Sequence, residues 1–256
     1  MKRTMVFVLS IFFIVAAAGV VTGRGTYREA FFARYPDAKN TKLYRDCSLC
    51  HITPEGGTAR NLFGISFAAN NMKGFSEIEG IDSDGDGYTN IDEIKAGTYP
   101  GLFTDQPDPK KYSKCVSLIF FQAPKTGKIP AYSFVDGKYV ELPSGNSCYI
   151  KNGTSMAPLR FAVENLGGTA SFFGSERRID IKKGETVVAQ FWIGRNTARI
   201  KNKDYKLGNP SEIVGGSTFV PVRALSDSMD AELNWVAPSK ILNIGYKAKK
   251  SCCEGD

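Results

Sequence analysis

Gly153-Thr154-Ser155-Met156-Ala157-Pro158-Leu159-Arg160 recurs 63 residues later as Gly216-Ser217-Thr218-Phe219-Val220-Pro221-Val222-Arg223. In each copy the proline sits where a first helical turn accepts it, because its missing N–H has no intrahelical partner there. Leu159, Ala162 and Leu166 then recur as Val222, Leu225 and Met229, spaced to share one helical face. An extended segment with an aromatic residue follows each, Phe172 in the first copy and Trp235 in the second. The pattern predicts two copies of strand, hairpin, helix and strand. Neither copy can bury both faces alone, so the pair shares one core.

Working outward, Val116 to Gln122 and Val187 to Gly194 are apolar runs of strand length, and Ala131 to Leu142 and Ala198 to Leu207 read as hairpins. The first hairpin turns at Asp136-Gly137. Upstream the pattern is helical instead. Tyr27 to Tyr35 is a short helix stopped by Pro36, Asn61 to Met72 is a second helix interrupted by Gly74, and Ile91 to Ala96 is one or two turns more. Thr98 to Lys111, with Pro100, Pro107 and Pro109, reads as a linker. The expected fold class is α+β: a small α-helical domain at 24–109, a β-rich two-repeat α+β domain at 110–247, and a basic, cysteine-bearing tail at 248–256.

The first 23 residues are a separate matter. Lys2 and Arg3 precede the apolar run Val6 to Val21, followed by small residues around Ala16 to Gly19. That is a secretory signal with cleavage expected between Ala18 and Arg24. An uncleaved anchor is the competing reading, although the apolar core is short for a full span. An exported protein of the periplasm or the extracellular cell surface is the expectation. Charge divides with the domains. Residues 24–109 carry 9 Lys and Arg against 13 Asp and Glu; residues 110–256 carry 22 against 13. A basic half on an exported chain suits cell-wall polymer or a membrane surface, or is simply a solvated face; nucleic acid is not an expected partner outside the cell. Of six cysteines, Cys115 and Cys148 flank one hairpin region and are expected to pair, while Cys252 and Cys253 stand adjacent on the tail.

Two stretches carry chemistry. Cys47-Ser48-Leu49-Cys50-His51 has the spacing of a c-type haem attachment site: two thiols for the vinyl groups and an imidazole for the iron. A zinc site would want four Cys or His ligands, yet His51 is the sole histidine of the chain. A redox Cys-x-x-Cys would want a thioredoxin-like context. With one histidine, the sixth iron position falls to Met72, another weak ligand, water or nothing. Met72 alone among the mature methionines lies in the acidic half, although it also reads as helix packing. Asp82-Ser83-Asp84-Gly85-Asp86-Gly87-Tyr88-Thr89-Asn90-Ile91-Asp92-Glu93 fits a twelve-residue calcium loop. Asp82, Asp84 and Asp86 take positions 1, 3 and 5, and Gly87 makes the turn at 6. Tyr88 offers its carbonyl at 7, Asn90 an oxygen at 9, and Glu93 closes bidentately at 12. A single such loop suits a structural staple in a small domain rather than an opening sensor.

Residues 40 to 107 resemble a small bacterial monohaem c-type cytochrome module, in which the haem motif precedes a stretch like Asn61-Leu62-Phe63-Gly64 and then an EF-hand-like loop running into Ala96-Gly97-Thr98-Tyr99-Pro100-Gly101. Residues 116–246 resemble the copper amine oxidase N-terminal-like (stalk) domain, through the two Gly-Thr/Ser-x-x-x-Pro-Leu/Val-Arg elements and the Leu166-Gly167-Gly168 helix end. The second copy departs there, with Met229-Asp230-Ala231. The second resemblance implies a binding or spacer role, and no copper is expected because residues 116–246 contain no histidine. Together the expectations are one covalent haem c, one Ca2+ and one-electron transfer to an unknown redox partner. The rivals are a haem enzyme or sensor with an open sixth position, and a cell-wall-binding protein with an accessory haem.

Overall fold

A computed structural model describes residues 23–57, 59–108, 112–121, 132–142, 147–237 and 239–247. The signal segment, the cysteines of the tail and the Pro109–Lys111 end of the expected linker lie outside them. The fold is mixed α+β, with a few helices in the N-terminal part and a β-rich C-terminal region of two sheets. No helix among the described residues is long and apolar enough to cross a membrane.

The N-terminal part contains α1 (Gly23–Arg34), α2 (Leu62–Ala69) and α3 (Asn90–Ala96), with short 3-10 turns between them. Its core is aromatic: Phe31, Phe63, Phe67 and Phe75 are buried with Leu43, Ile78 and Ile94. Phe67 and Phe75 stack at 4.2 Å, and Phe31 meets Phe75 edge-on at 5.1 Å. A chain segment this short buries little aliphatic area, and a few large rings supply most of what it has.

The C-terminal part begins with β1 (Tyr112–Phe121), β2 (Tyr132–Val135), β3 (Lys138–Glu141), β4 (Cys148–Lys151) and β5 (Thr154–Pro158), then α4 (Leu159–Asn165). It continues through β6 (Thr169–Phe173), β7 (Arg178–Lys183), β8 (Thr186–Trp192), β9 (Thr197–Ile200), β10 (Lys203–Lys206), β11 (Glu212–Val214) and β12 (Ser217–Pro221), and closes with α5 (Val222–Met229), β13 (Glu232–Val236) and β14 (Ile241–Lys247). One sheet runs β11-β12-β5-β4-β1-β14-β13 with the β2–β3 hairpin beside β1; the other runs β10-β9-β8-β7-β6. The hairpins turn at Asp136-Gly137 and Lys201-Asn202, all four residues with positive φ, as tight two-residue turns require.

The repeat is built as a local two-fold. In the β5–β12 pair, Ala157 faces Val220, Met156 faces Pro221 and Pro158 faces Phe219. Ala157 and Val220 are counterparts at the 63-residue offset, so the two halves meet at equivalent positions. Leu159, Ala162 and Leu166 and their counterparts Val222, Leu225 and Met229 are all buried in one core. Each proline ends a strand and stands at the helix N-cap, one position earlier than expected. Where the second copy departs in sequence the backbone does not. Asp230 takes the left-handed conformation (φ 57°) that Gly167 takes in the first copy (φ 83°), and its carboxylate meets Lys183 and Lys201.

Two sequence expectations are corrected. Cys115 and Cys148 are both buried and free. Cys148 lies beside Phe120 in the parallel β1–β4 pair, whereas Cys115 is five positions back along β1, opposite Gly245. At about 3.3 Å per residue that is far beyond disulfide reach. The linker is also a packed segment over its described length. Phe103 is only 3% exposed, Tyr99 donates its hydroxyl to Asp46 at 2.6 Å, and Gly137 closes on the Phe103 amide so tightly that a β-carbon would fall 2.8 Å away.

Across β4 and β11, Glu212 accepts hydrogen bonds from the Tyr149 hydroxyl and the Lys151 ammonium, each at 2.7 Å. Burial opposes ionisation of Glu212, but the bonds from Lys151 and Tyr149 and the Lys151 charge outweigh it and hold its carboxyl below the ordinary value of 4.5. A depressed carboxyl stabilises the fold above its unfolded pKa and loses that contribution as the pH falls through its folded pKa. Glu212→Ala is therefore expected to cost about 1 kcal/mol at pH 7, modest because the pair is part-exposed. In urea titrations the gap from wild type should close below the ordinary carboxylate range.

Candidate functional site

Cys47–Leu49 forms a single 3-10 turn capped by Asp46, whose carboxylate accepts the Ser48 N–H at 2.8 Å. The N–H groups of Cys50 and His51 both return to the Cys47 carbonyl, at 3.0 and 2.9 Å. Two thiols and the imidazole are thereby held on one compact turn. The chain then doubles back, with Ile52 donating to Ala59 and Asn61 to Cys50. Gly56, with φ of 67°, closes this loop: a β-carbon there would sit 3.3 Å from the Cys47 sulfur and 3.7 Å from His51 Cδ2. Helix α2 is seated on the same turn. Asn61 caps it by accepting the Gly64 N–H at 2.9 Å and donates to the Ser48 carbonyl at 2.6 Å. Gly64 lets the helix approach; a β-carbon there would fall 2.1 Å from the Cys50 carbonyl oxygen.

A cleft of about 1360 Å³ opens over the turn, larger than the roughly 300–1,000 Å³ typical of small-ligand sites. Cys47, Cys50, His51 and Met72 all line it. So do Tyr27 and Phe31 of α1, Phe67 of α2 and Phe75, and on the far side Ile119 and Phe120 of β1 with Ser239 and Lys240 of the turn before β14. The cleft is thus shared between the helical and β-rich parts, and its β-side wall was not anticipated from the sequence. Met72 sits after α2 in a left-handed turn (φ 53°) and is 37% exposed. Met156 and Met229 are fully buried in the C-terminal part and do not reach the cleft. Burial pushes the Cys50 thiol up to about 12 against the opposing charge of Arg60. Such a thiol stays protonated, the reverse of the lowered pKa that dithiol redox motifs use.

The second site is the 82–93 loop. Asp82 accepts the N–H groups of Gly85 and Gly87, Asp84 that of Asp86, and Asp86 that of Tyr88. These bonds curl the loop inward around Gly85 and Gly87, both at positive φ. Carboxylate oxygens of Asp82, Asp84 and Asp86 lie within 4.8 Å of one another. Thr89 caps α3 in a capping box with Asp92, which turns Asn90 and Glu93 toward the interior. Asn90 donates to the Ile78 carbonyl at 2.6 Å, and its Oδ1 has no hydrogen-bond partner. Neither does Asp84 Oδ2 nor either oxygen of Glu93, although all three residues are fully buried. Burial, then the charges of Asp84, Asp86 and Asp82, push the Glu93 carboxyl up to about 12; burial and Asp86 and Asp82 do the same in direction for Asp84. Buried carboxylates gathered without a counter-charge are costly. A hard, oxygen-seeking divalent cation fits this donor set. Tyr88 lies between Asp86 and Asn90 in the chain, at position 7 of the loop, and its side chain is half-buried.

Against known families, residues 134–244 match the model of the copper amine oxidase N-terminal domain. Residues 134–244 form a copper amine oxidase N-terminal-like domain. The two half-units related about the β5–β12 pair, and both buried repeat helices, belong to this copper amine oxidase N-terminal-like domain, which contains no histidine. Residues 26–106 match the model named Temptin C-terminal, which is not a cytochrome. That match spans both the Cys47–His51 turn and the 82–93 loop. No curated protein matches the chain, and no solved structure does.

Proposed function

We propose that the chain is an exported monohaem c-type cytochrome, with an EF-hand-like calcium loop stiffening the haem-bearing part and the copper amine oxidase N-terminal-like domain serving as wall and stalk. The observation that carries this is the convergence of both motif thiols, the sole imidazole and Met72 on one large, aromatic-walled cleft. A haem bound there would supply one-electron transfer, with its potential tuned by axial ligands and burial.

The chain's own residues have definite tasks in this reading. The turn at Cys47–His51 fixes both sulfurs on one side of the cleft. His51 would supply its imidazole and Met72 its thioether to the iron, since both line the cleft. Phe31, Phe67 and Phe75 keep water from one face, and Phe120 from the β-side wall. Asp82, Asp84, Asp86, Asn90, Glu93 and the Tyr88 carbonyl hold the calcium ion. The excess of basic residues beyond position 110 favours cell-wall polymer or anionic lipid as the docking partner at the envelope; the redox partner would meet the open side of the cleft.

The test is the intact mass and visible spectrum of protein made in a host with cytochrome c maturation. The expected result is the polypeptide plus one haem, low-spin, with a thioether–iron charge-transfer band that Met72→Ala abolishes. Colourless protein with the polypeptide mass alone would overturn the assignment. A high-spin wild type would move it to the haem enzyme or sensor reading.

A further inference from the structure

The face that the larger sheet turns toward the helical part has two halves. One is apolar: Ile119 and Ile241 pack with Leu62, and Ile81 joins them. The other is polar and lies under the 82–93 loop. Along β14 (Ile241–Lys247), Leu242 and Ile244 enter the repeat core, so the intervening Asn243 is turned the other way. Its neighbour across β1 is Ser117. Asn243 is 2% exposed, and neither atom of its amide has a hydrogen-bond partner. It is pressed against the loop at Gly85, where an added β-carbon would fall 2.6 Å from Asn243 Cβ and 2.7 Å from its Cγ. Beside it, the Cys115 thiol donates to the Asp84 carbonyl at 3.6 Å. Ser83, Asp84 and Asp86 are fully buried. A loop of this kind at a free surface keeps its acidic residues wet; here the sheet covers them.

Covering the loop has an electrostatic condition. Asp84 loses its water when the sheet docks, and neither its Oδ2 nor either oxygen of Glu93, buried in the same loop, has a hydrogen bond in return. A bound cation supplies the missing counter-charge, and an amide such as Asn243 tolerates proximity to it where an apolar residue at that position would not contribute. Without the cation, the charged loop regains water only by lifting off the sheet.

We propose that cation binding at 82–93 clamps the β-rich part onto the helical part, so that the β-side wall of the cleft, Ile119, Phe120 and Lys240, is held in place only in the loaded protein. This rests on the reading of the loop as a cation site. Cys115 is the built-in reporter, since it is buried at the contact, while Cys148 is buried in the repeat core and serves as control.

The experiment uses the full chain, equilibrated with calcium or with a chelator, pulsed with iodoacetamide, and read by peptide mass spectrometry; calcium binding is measured in parallel by calorimetry. The expected result is calcium binding, with at least tenfold faster alkylation of Cys115 after chelation and no change at Cys148. Calcium binding with equal Cys115 labelling in both conditions would overturn the clamp and leave the cation site standing. Equal acceleration at Cys115 and Cys148 would also overturn it, since the loop would then be a global stabiliser. No calcium binding at all would remove both the clamp and the reading beneath it.

Discussion

Glu93→Gln is expected to weaken calcium binding about 100-fold and, in the same protein, to raise the melting temperature of the cation-free form. The two effects have one cause. Glu93 is fully buried, its two oxygens accept no hydrogen bond, and Asp84, Asp86 and Asp82 crowd it with like charge. In the proposed reading, a bound cation would take both its oxygens and close the loop. Losing one partner of a buried pair costs about 3 kcal/mol or more, and each 1.4 kcal/mol is a factor of ten. Without the cation, the same carboxyl stays buried only by holding a proton that it would release in the unfolded chain, which costs stability at neutral pH, and the neutral amide removes that cost. Wild type should therefore gain stability from calcium, by about 2.7 kcal/mol at a hundredfold excess over Kd, and the variant should gain little at that concentration. Calorimetric titration and thermal melts with and without chelator check both signs. A variant that melts below wild type in chelator would show that the loop is not strained by its own charge.

Gly64→Ala is expected to damage the Cys47–His51 turn from a position that contributes no side chain to it. The added β-carbon would lie 2.1 Å from the Cys50 carbonyl oxygen and 3.0 Å from the carbonyl carbon. Both are backbone, so no side chain can swing aside. Relief requires α2 to move off the turn, breaking the Asn61 bonds to the Ser48 and Cys50 carbonyls. Overpacking of this kind costs about 3 kcal/mol, which for a chain of this size lowers the melting temperature by roughly 6–12 °C. Haem incorporated per protein in a maturation-competent host should fall with it. A normal melt with normal haem yield would mean that α2 and the Cys47–His51 turn are not packed as described.

Much of this was legible from residues alone, and the misses share one origin. The repeat, the hairpin at Asp136-Gly137 and the loop from Asp82 to Glu93 are local patterns, in which the residues that interact are also close in the chain. The second copy departs from the first in sequence at Met229-Asp230-Ala231, yet Asp230 adopts the left-handed turn that glycine makes in the first copy. What the sequence could not order was the register of distant strands. Cys115 and Cys148 flank a hairpin, but β1 runs parallel to β4 and sets them apart. The β-side wall of the cleft comes from Ile119 and Phe120, about 70 positions beyond the Cys47–His51 turn, and from Ser239 and Lys240, nearly 190 beyond it, while Asn243 meets a loop that ends 150 positions earlier. One signal was available: a single asparagine inside Ile241-Leu242-Asn243-Ile244 is conspicuous in a strand whose neighbours are apolar, and a buried amide calls for a reason.

The pairing of Ala157 with Val220 has a consequence for how such a chain could arise and be taken apart. A strand that meets its own counterpart across a two-fold is self-complementary, which is the defining property of an isologous contact between identical subunits. Each half-unit therefore carries, at that edge, the surface that a second copy of itself would complete. The single chain is, in geometry, a tethered homodimer of its own halves, and at the axial position a side chain sits directly opposite its own counterpart.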